Sequence, residues 1–334
     1  MKRLMTLCAA GLFAIGLSGQ PVPAAEGSAD QPVQSKNPWR GSVLSIGNAV
    51  SLYSFNRSLD LTYNPYDALS IGIAPRVWFG EHLYLAGSLE VQRELTEADD
   101  TTYEGEILLG DLEMSVGYAR AYTIPWLGID LSPSLQLLLP TSKAAQARNL
   151  TLGGGPELAL ARTFSLARLG RFTLGYTGRF FTYLNRTTTM TRESPLIPTC
   201  SLAREGCASF LNTGLRNSAF RLRHGLNAGW SPLDWLTLSL NLGQIVDWLY
   251  PIEKDDPRIT LGVAVPAGTR HLTYFGVETA VSPVDFLEVA LGYSVVSPEL
   301  AADSTHHSPF YNRYAMVSAE LRLKLDGMFT RMGQ

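Results

Sequence analysis

The stretch "WSPLDWLTLSLNLG" spans residues 230–243, and "VSPVDFLEVALGY" at residues 281–293 repeats its pattern. Each copy reads Ser-Pro-x-Asp and an aromatic residue, followed by a stretch in which every second residue is apolar. Successive residues of a β-strand point to opposite faces, so each copy predicts a turn leading into a strand with one apolar and one polar face. In the first copy the two faces carry Leu236, Leu238, Leu240 and Leu242 against Thr237, Ser239 and Asn241.

The same alternation recurs along most of the chain, and no helical period competes with it over a long window. We predict about twelve such strands, most of which reach the ~9–11 residues that a tilted strand needs to cross a bilayer. Their predicted ranges are 43–56, 66–79, 83–94, 105–120, 127–140, 149–163, 171–186, 216–230, 235–249, 269–281, 286–297 and 312–326.

The predicted connections alternate in length. Short turns include "FGEH", "YTIPW", "SLARLG", "SPLD" and "SPVD", and longer polar loops fall at 95–104, 141–148, 187–215, 250–268 and 298–311. After the N-terminal region, no run reaches the ~18 apolar residues of a membrane-spanning helix. Charged residues make up 17% of the chain, below the ~25% of soluble domains. This combination favours strands that cross a membrane.

The first residues predict export. Lys2 and Arg3 precede an apolar stretch at 4–17 and the small-residue sequence "GQPVPAAEG", so residues 1–25 are predicted to be a signal peptide that takes Cys8 with it. The two remaining cysteines, Cys200 and Cys207, lie close together in one loop with no His nearby. In an exported chain this spacing favours a short disulfide over a metal site.

These patterns together resemble those of bacterial outer-membrane β-barrel proteins, and the resemblance covers nearly all of the mature sequence. It implies an all-β fold, namely a transmembrane antiparallel up-and-down barrel that spans residues 42–329. A short periplasmic segment at 26–41 is expected before the barrel and a tail at 330–334 after it. It also implies an outer-membrane location in a Gram-negative bacterium, with outer-membrane lipid, lipopolysaccharide and the outer-membrane assembly machinery as partners. Proteins of this class commonly end on an aromatic residue, whereas Phe329, in the outward phase of the last strand, is followed by "TRMGQ".

A soluble β-sandwich is the rival architecture. Its exposed polar face would carry many Lys and Glu, whereas the polar face here is mainly Gly, Ser, Ala, Thr and Asn. Aromatic residues also cluster at the predicted strand ends, as they do at membrane interfaces. The net charge of −3 predicts no nucleic-acid partner. Pro75, Pro133 and Pro156 lie inside predicted strands, where we expect bulges or bends and a register that can slip by one residue.

Function in such a barrel depends on the inward face and the loops. The inward phase is predicted to carry both signs of charge: Arg76, Arg179, Arg221, Arg223, Arg322 and Lys324, against Glu90, Asp111, Glu113, Asp130, Glu157, Glu278, Glu288 and Glu320. These residues favour a porin-like channel for small polar solutes. The alternative is a closed barrel whose charges pair with each other and which serves as a subunit or anchor of a cell-envelope complex. A barrel of about twelve strands lies between filled and open barrels, so size leaves both open.

An enzyme is the third class considered. Some outer-membrane barrels are lipid hydrolases that carry a His and a Ser two residues apart on the lipid-facing wall. His224 has the outward phase, but Leu226 stands where the nucleophilic Ser would be, and His271 with Thr273 is no better placed. The adjacent histidines of "THHS" at 305–308 are typical of a solvated loop. We therefore predict no enzymatic activity, no cofactor and no metal site.

Overall fold

The computed structural model describes residues 37–56, 66–96, 105–167, 169–190, 216–251, 268–301 and 304–332. The predicted signal peptide and the predicted disulfide between Cys200 and Cys207 lie outside the described residues and remain predictions.

The chain folds into a closed, all-antiparallel barrel of 12 strands. In the described residues these 12 barrel strands consist of fifteen segments: β1 (Val43–Ser51), β2 (Asp67–Ala74), β3 (Arg76–Phe79), β4 (Leu83–Glu94), β5 (Ile107–Leu109), β6 (Leu112–Tyr118), β7 (Tyr122–Ile124), β8 (Ile129–Leu139), β9 (Leu150–Leu166), β10 (Gly170–Asn185), β11 (Ser218–Leu233), β12 (Leu236–Leu249), β13 (Thr269–Val284), β14 (Leu287–Pro298) and β15 (Ala315–Lys324). β2 and β3 form one barrel strand, and β5, β6 and β7 form another. Pairing of β1 with β15 closes the barrel, which leaves no free sheet edge.

The two faces of the wall differ as the alternation predicts. Large apolar side chains of the outward phase are exposed on the isolated chain, among them Ile71, Leu135, Leu226, Leu240 and Leu291. Small and polar residues face inward. A continuous exposed apolar surface of this kind is a belt for lipid contact. None of the helices within the described ranges is long and apolar enough to span a membrane.

The repeated Ser-Pro-x-Asp motifs form hairpin turns, as predicted, and the proline lies before the tip of each turn. Leu233 pairs with Leu236, and Val284 pairs with Leu287, so the turn tips are Asp-Trp and Asp-Phe. The pairing shifts register just before each tip, over the Ser-Pro dipeptide. The proline therefore lies in a bulge, where its missing N–H leaves no ladder bond unmade.

The three prolines inside predicted strands behave differently from one another. Pro75 lies between β2 and β3, whose pairing with β4 keeps the same register on both sides, so no bulge forms there. Pro133 and Pro156 stay within β8 and β9, where they pair with Leu158 and Leu135 in an unbroken register. The predicted register slip is therefore wrong. At Pro156 the ladder to β10 is only interrupted, because pairing remains in step on both sides of the gap.

The last strand ends earlier than predicted. β15 stops at Lys324, and Leu325–Met332 forms the helix α2, so Phe329 belongs to this helix and does not continue the strand. The reason lies in the partner strands. Lys324 pairs with Val43, the first residue of β1, and β14 begins at Leu287 opposite Leu323. One further backbone bond forms on each side, from Leu325 N–H to Ser42 and from Lys324 N–H to Phe286, and the ladder then ends because β1 and β14 begin at these positions.

Candidate functional site

Charged side chains line the inside of the wall in two groups at different depths. One lies towards the end where the loops at 140–149 and 186–217 connect strands, which we call the long-loop end. The other lies towards the opposite, short-turn end. The basic cluster at the long-loop end consists of Arg148, Arg221, Arg223 and Arg270 around Asp247. The acidic cluster towards the short-turn end consists of Glu90, Glu278, Glu288 and Glu320 with Arg322 and Lys324.

Asp247 is the centre of the basic cluster. The register places it directly between Arg221 and Arg270 on the two neighbouring strands. Arg221 donates to its two oxygens from Nε and Nη2 at 2.6 and 3.0 Å, and Arg270 donates from Nη2 at 2.7 Å. The Asp247 side chain is fully buried. Two guanidinium groups thus share one carboxylate, which leaves this row of the wall with a net positive charge.

Arg223 lies one inward step deeper, directly opposite Arg179 on β10. Arg179 is neutralised by Glu157 at 2.6 Å and by Glu113 at 3.7 Å. Within the described part of the chain, no carboxylate lies within ion-pair distance of Arg223. Its guanidinium instead lies 4.7 Å from the centre of the Tyr274 ring. That ring occupies the space in which side chains at Gly225 and Gly243 would collide with it.

A short helix inside the long-loop end narrows the lumen. The helix α1 (Lys143–Ala147) begins at Ser142, whose side chain accepts a hydrogen bond from the Ala145 N–H. Ala145 is buried against Leu138 and Phe181, which are in the inward phase of β8 and β10. Ser142 N–H in turn donates to Asp111 at 2.8 Å. The segment that we predicted as a polar loop therefore packs on the lumen side of the wall.

This helix carries Arg148 to the basic cluster. The backbone carbonyl of Arg148 accepts hydrogen bonds from Asn185 at 3.0 Å and from Asn217 at 2.9 Å. Burial, together with the positive charges of Arg221 and Arg270, lowers the pKa of Arg148 to about 10, against the raising effects of Tyr183 and Asp111. A group with this pKa is still protonated at neutral pH. The segment is thus tied to β10 and β11 with its cation retained.

In the acidic cluster, Arg322 is the common partner of three glutamates. It lies 2.7 Å from Glu278, 3.0 Å from Glu288 and 2.7 Å from Glu320, and Lys324 lies 2.7 Å from Glu288. Glu90 on β4 lies close enough to Glu320 for their charges to interact. Four carboxylates face two cations, so the acidic cluster itself carries a net negative charge.

The other residues of the predicted lumen set lie apart from both clusters. Arg76 lies 5.2 Å from the ring centre of Tyr84. Asp130 lies at the rim of the short-turn end, where it accepts from Thr123 at 2.5 Å and lies 3.6 Å from Arg120.

Sequence reasoning missed several charged residues of the lumen. Asp247 and Arg270 have the inward phase of Ser239 and Glu278, so extending the alternation to the strand ends would have found them. The fully buried Glu94, which accepts from Thr96 at 3.1 Å, has the same phase as Glu90. Arg148 carries no such signal because it lies in a connection, and only the fold brings it to the cluster.

The histidines on the outer face and in the loops show no arrangement for hydrolysis among the described residues. His224 lies on the outer face with its ring 6.3 Å from that of Tyr176, and the neighbouring outward position is the exposed Leu226. His306 lies 3.9 Å from Glu299, and the His307 ring contacts that of Tyr314.

The closed antiparallel barrel, its apolar outer belt and its charged interior are those of an outer-membrane β-barrel protein, which places the chain in the outer membrane of a Gram-negative bacterium. Among solved structures, the chain is similar to an outer membrane channel from Pseudomonas putida F1, with a TM-score of 0.51, 11% identity and coverage of 87% of this chain and 99% of that one. The NanC porin matches at a TM-score of 0.45 and 9% identity over 85% and 98% of the two chains. LpxR from Salmonella typhimurium matches at a TM-score of 0.39 and 9% identity over 84% and 99%. No family model and no curated protein matches the sequence. At these identities the likeness shows the fold.

Proposed function

We propose that this protein is a channel that lets small polar solutes cross the outer membrane through the barrel lumen. The observation that carries the proposal is the state of the inward side chains, which are charged and only partly enclosed. The side chains of Arg322, Glu278 and Arg179 keep 16%, 19% and 26% of their surface exposed, although they lie inside the wall. A solidly packed interior would exclude water from such groups. Burying ionised side chains in that way is costly, so their partial exposure supports an interior that admits water.

The apolar packing inside the described part of the barrel is limited in extent. One cluster joins Leu138, Ala145, Leu150 and Phe181, and a second joins Ile245, Leu272 and Tyr274. Both lie towards the long-loop end, where they narrow the lumen beside the basic cluster. The rest of the described inward face carries mainly small, polar and charged residues, with Trp78 and Tyr84 packed together near the short-turn end. This arrangement supports a lumen that is partly filled towards the long-loop end and lined by charged side chains. The similarity in fold to an outer membrane channel is in line with this function.

A closed scaffold is the second candidate, and the ion pairs are the observation that favours it. Arg322 with its three glutamates, and Arg179 with two, show that many inward charges neutralise each other within the wall. Such pairs can hold a barrel shut without any solute.

Single-channel recording separates the two candidates. The refolded full-length protein is inserted into planar lipid bilayers in potassium chloride, and folding is checked by heat-modifiable migration in electrophoresis. A channel predicts steady steps whose current rises linearly with voltage, because a wall held by a closed ladder has a fixed bore. Protein that is folded and inserted but silent would contradict the channel and favour the scaffold.

A further inference from the structure

A charged side chain, that of Arg162, lies on the outer face of the barrel. Arg162 has the outward phase of Leu158 and Leu160 on β9, and it lies opposite the exposed Leu174 on β10. The residue is exposed on the isolated chain, so in the membrane it contacts lipid. A charge on the lipid face is most costly at the midplane of the bilayer and is tolerated near the interfaces, and ionisable residues at membrane depth are commonly functional. The depth of Arg162 therefore decides what it can contact.

The neighbouring turn places Arg162 near the short-turn end of the wall. Pairing between β8 and β9 ends at Asp130 and Ala161, one residue before Arg162. The turn at 125–128 lies directly beyond this pair, and a Cβ atom on Gly128 would lie 3.7 Å from Arg162 Nε. Trp126 of the same turn is 82% exposed. The head of Arg162 thus lies at the level of a turn tip, where a long cationic side chain reaches the lipid headgroups.

An aromatic row holds the Arg162 guanidinium group at this level. Its Cζ lies 4.5 Å from the centre of the Phe164 ring, the next outward residue towards the short-turn end. Phe164 pairs with Phe172 on β10, and Phe172 pairs with Trp230 on β11, so three outward aromatic residues lie side by side. Rows of this kind mark the membrane interface. The cation–π contact turns the guanidinium group towards that interface, and it uses none of the N–H groups as hydrogen-bond donors to an oxygen.

The surroundings of Arg162 select a lipid phosphate as its ligand. A guanidinium group is a planar donor that matches two oxygens of a phosphate at once. The outer wall next to it is apolar, since Leu158 and Leu174 are 41% and 47% exposed. A phospholipid can place its phosphate on the guanidinium group and an acyl chain along these leucines, whereas inorganic phosphate gains only the first contact. The two surfaces together therefore favour the lipid over free phosphate.

We propose that Arg162, with Phe164 and the turn at Trp126 beside it, binds the phosphate of a phospholipid in the leaflet at the short-turn end of the barrel. The bound headgroup pairs with the charge that the outer face carries at this position. The contact fixes the depth of β9 in the bilayer and with it the level of the short turns. The site lies on the outer face, so the inference does not depend on the channel function proposed above.

The test compares vesicles of two lipids that are uncharged overall and differ in phosphate. Phosphatidylcholine carries a phosphate in its headgroup, and digalactosyldiacylglycerol carries none. Reversible urea unfolding of the full-length protein measures the folding equilibrium constant in each lipid for the natural protein, Arg162→Gln and Arg171→Gln. In phosphatidylcholine, Arg162→Gln should lower this constant about tenfold, the order expected for a lost hydrogen bond to a charged group. In digalactosyldiacylglycerol the loss should disappear, because Arg162 has no phosphate to bind there.

Arg171 is the matched control because it lies on β10 at the same end of the barrel, in the inward phase opposite Ser165. Arg171→Gln should change the folding equilibrium constant equally in both lipids, because the side chain at this position faces the lumen. An effect of Arg162→Gln that is the same in both lipids would overturn the site. An equal dependence of both substitutions on the lipid would overturn it as well.

Native mass spectrometry of the folded barrel in a maltoside detergent supplies a second readout that does not depend on refolding. Titrated with phosphatidylcholine, the natural protein should bind its first lipid about tenfold more tightly than Arg162→Gln does. Arg162→Lys should lie between them, because lysine keeps the charge and loses the planar pair of donors. Inorganic phosphate should not displace the lipid, and displacement would replace the lipid site by a site for free anions. Equal lipid binding by the natural protein and Arg162→Gln would overturn the proposal.

Discussion

At the scale of single residues, Asp247 is the most constrained charge in the lumen. Its carboxylate is fully buried between two arginines whose side chains keep only 17% and 22% of their surface exposed. Charges of this kind are tolerated because they are paired, and removing one partner leaves the others uncompensated. The row Arg221–Asp247–Arg270 thus joins three strands of the wall through side chains as well as through the backbone ladder.

Asp247→Asn should therefore destabilise the barrel by about 2–4 kcal/mol, below the full cost of breaking a completely buried pair because the arginines retain some solvent contact. Reversible urea unfolding in detergent or liposomes measures this difference. Asp130→Asn is the control. Asp130 pairs at the rim with Arg120, which is 39% exposed, so its loss should cost less than about 1 kcal/mol. Equal effects of the two substitutions would contradict the structural role of Asp247.

At the scale of elements, each strand has one face for lipid and one for the lumen, and β11 shows the contrast over adjacent residues. Leu226 is 63% exposed on the outer face, between the outward aromatic residues Phe220 and Trp230. Asn227, the next residue, faces inward, where it donates to Thr177 at 3.3 Å. The same substitution at these two positions therefore meets lipid in one case and the lumen in the other.

Leu226→Arg should lower the free energy of unfolding in lipid by about 2–4 kcal/mol, since a charge near the midplane of the bilayer loses its hydration. Asn227→Arg should cost clearly less, because its charge reaches the polar interior. Folding yield and urea titration in liposomes measure both variants. If Asn227→Arg folded poorly and Leu226→Arg folded well, the inside and outside of β11 would be the reverse of the assignment.

At the scale of the whole molecule, the orientation in the membrane follows from the connections. Outer-membrane barrels have short turns on the periplasmic side and long loops outside. Thr305, exposed in the connection between β14 and β15, should then face the cell exterior, and Asp234, at the tip of the turn between β11 and β12, should face the periplasm.

Thr305→Cys should react with a membrane-impermeant thiol reagent on intact cells, in a background with Cys200 and Cys207 replaced by Ser. Asp234→Cys should react only after the outer membrane is opened. The reverse pattern would show that the barrel is inserted the other way, and would place the basic cluster at the periplasmic mouth.

Much of the barrel could be predicted because alternation is a local property of a strand. The ranges of Leu83–Glu94, Leu236–Leu249 and Thr269–Val284 follow from which residues are apolar, since a one-residue change of phase would expose a whole polar face to lipid. The alternation of apolar and polar residues is clear at the centre of each strand and weak at its ends, which is why Asp247, Arg270 and Glu94 were missed. The signal peptide, the disulfide and the precise bounds of the domain remain predictions.

What the sequence by itself determined is the fold class, the membrane-facing surface and the inward phase of most charges, because each depends on neighbours along the chain. What only the tertiary structure decided is which charges meet. Arg148 reaches the basic cluster because α1 packs inward against Leu138 and Phe181, and β15 ends at Lys324 because its partner strands end there. Both outcomes depend on contacts between segments far apart in the chain, and local alternation carries no information about those contacts.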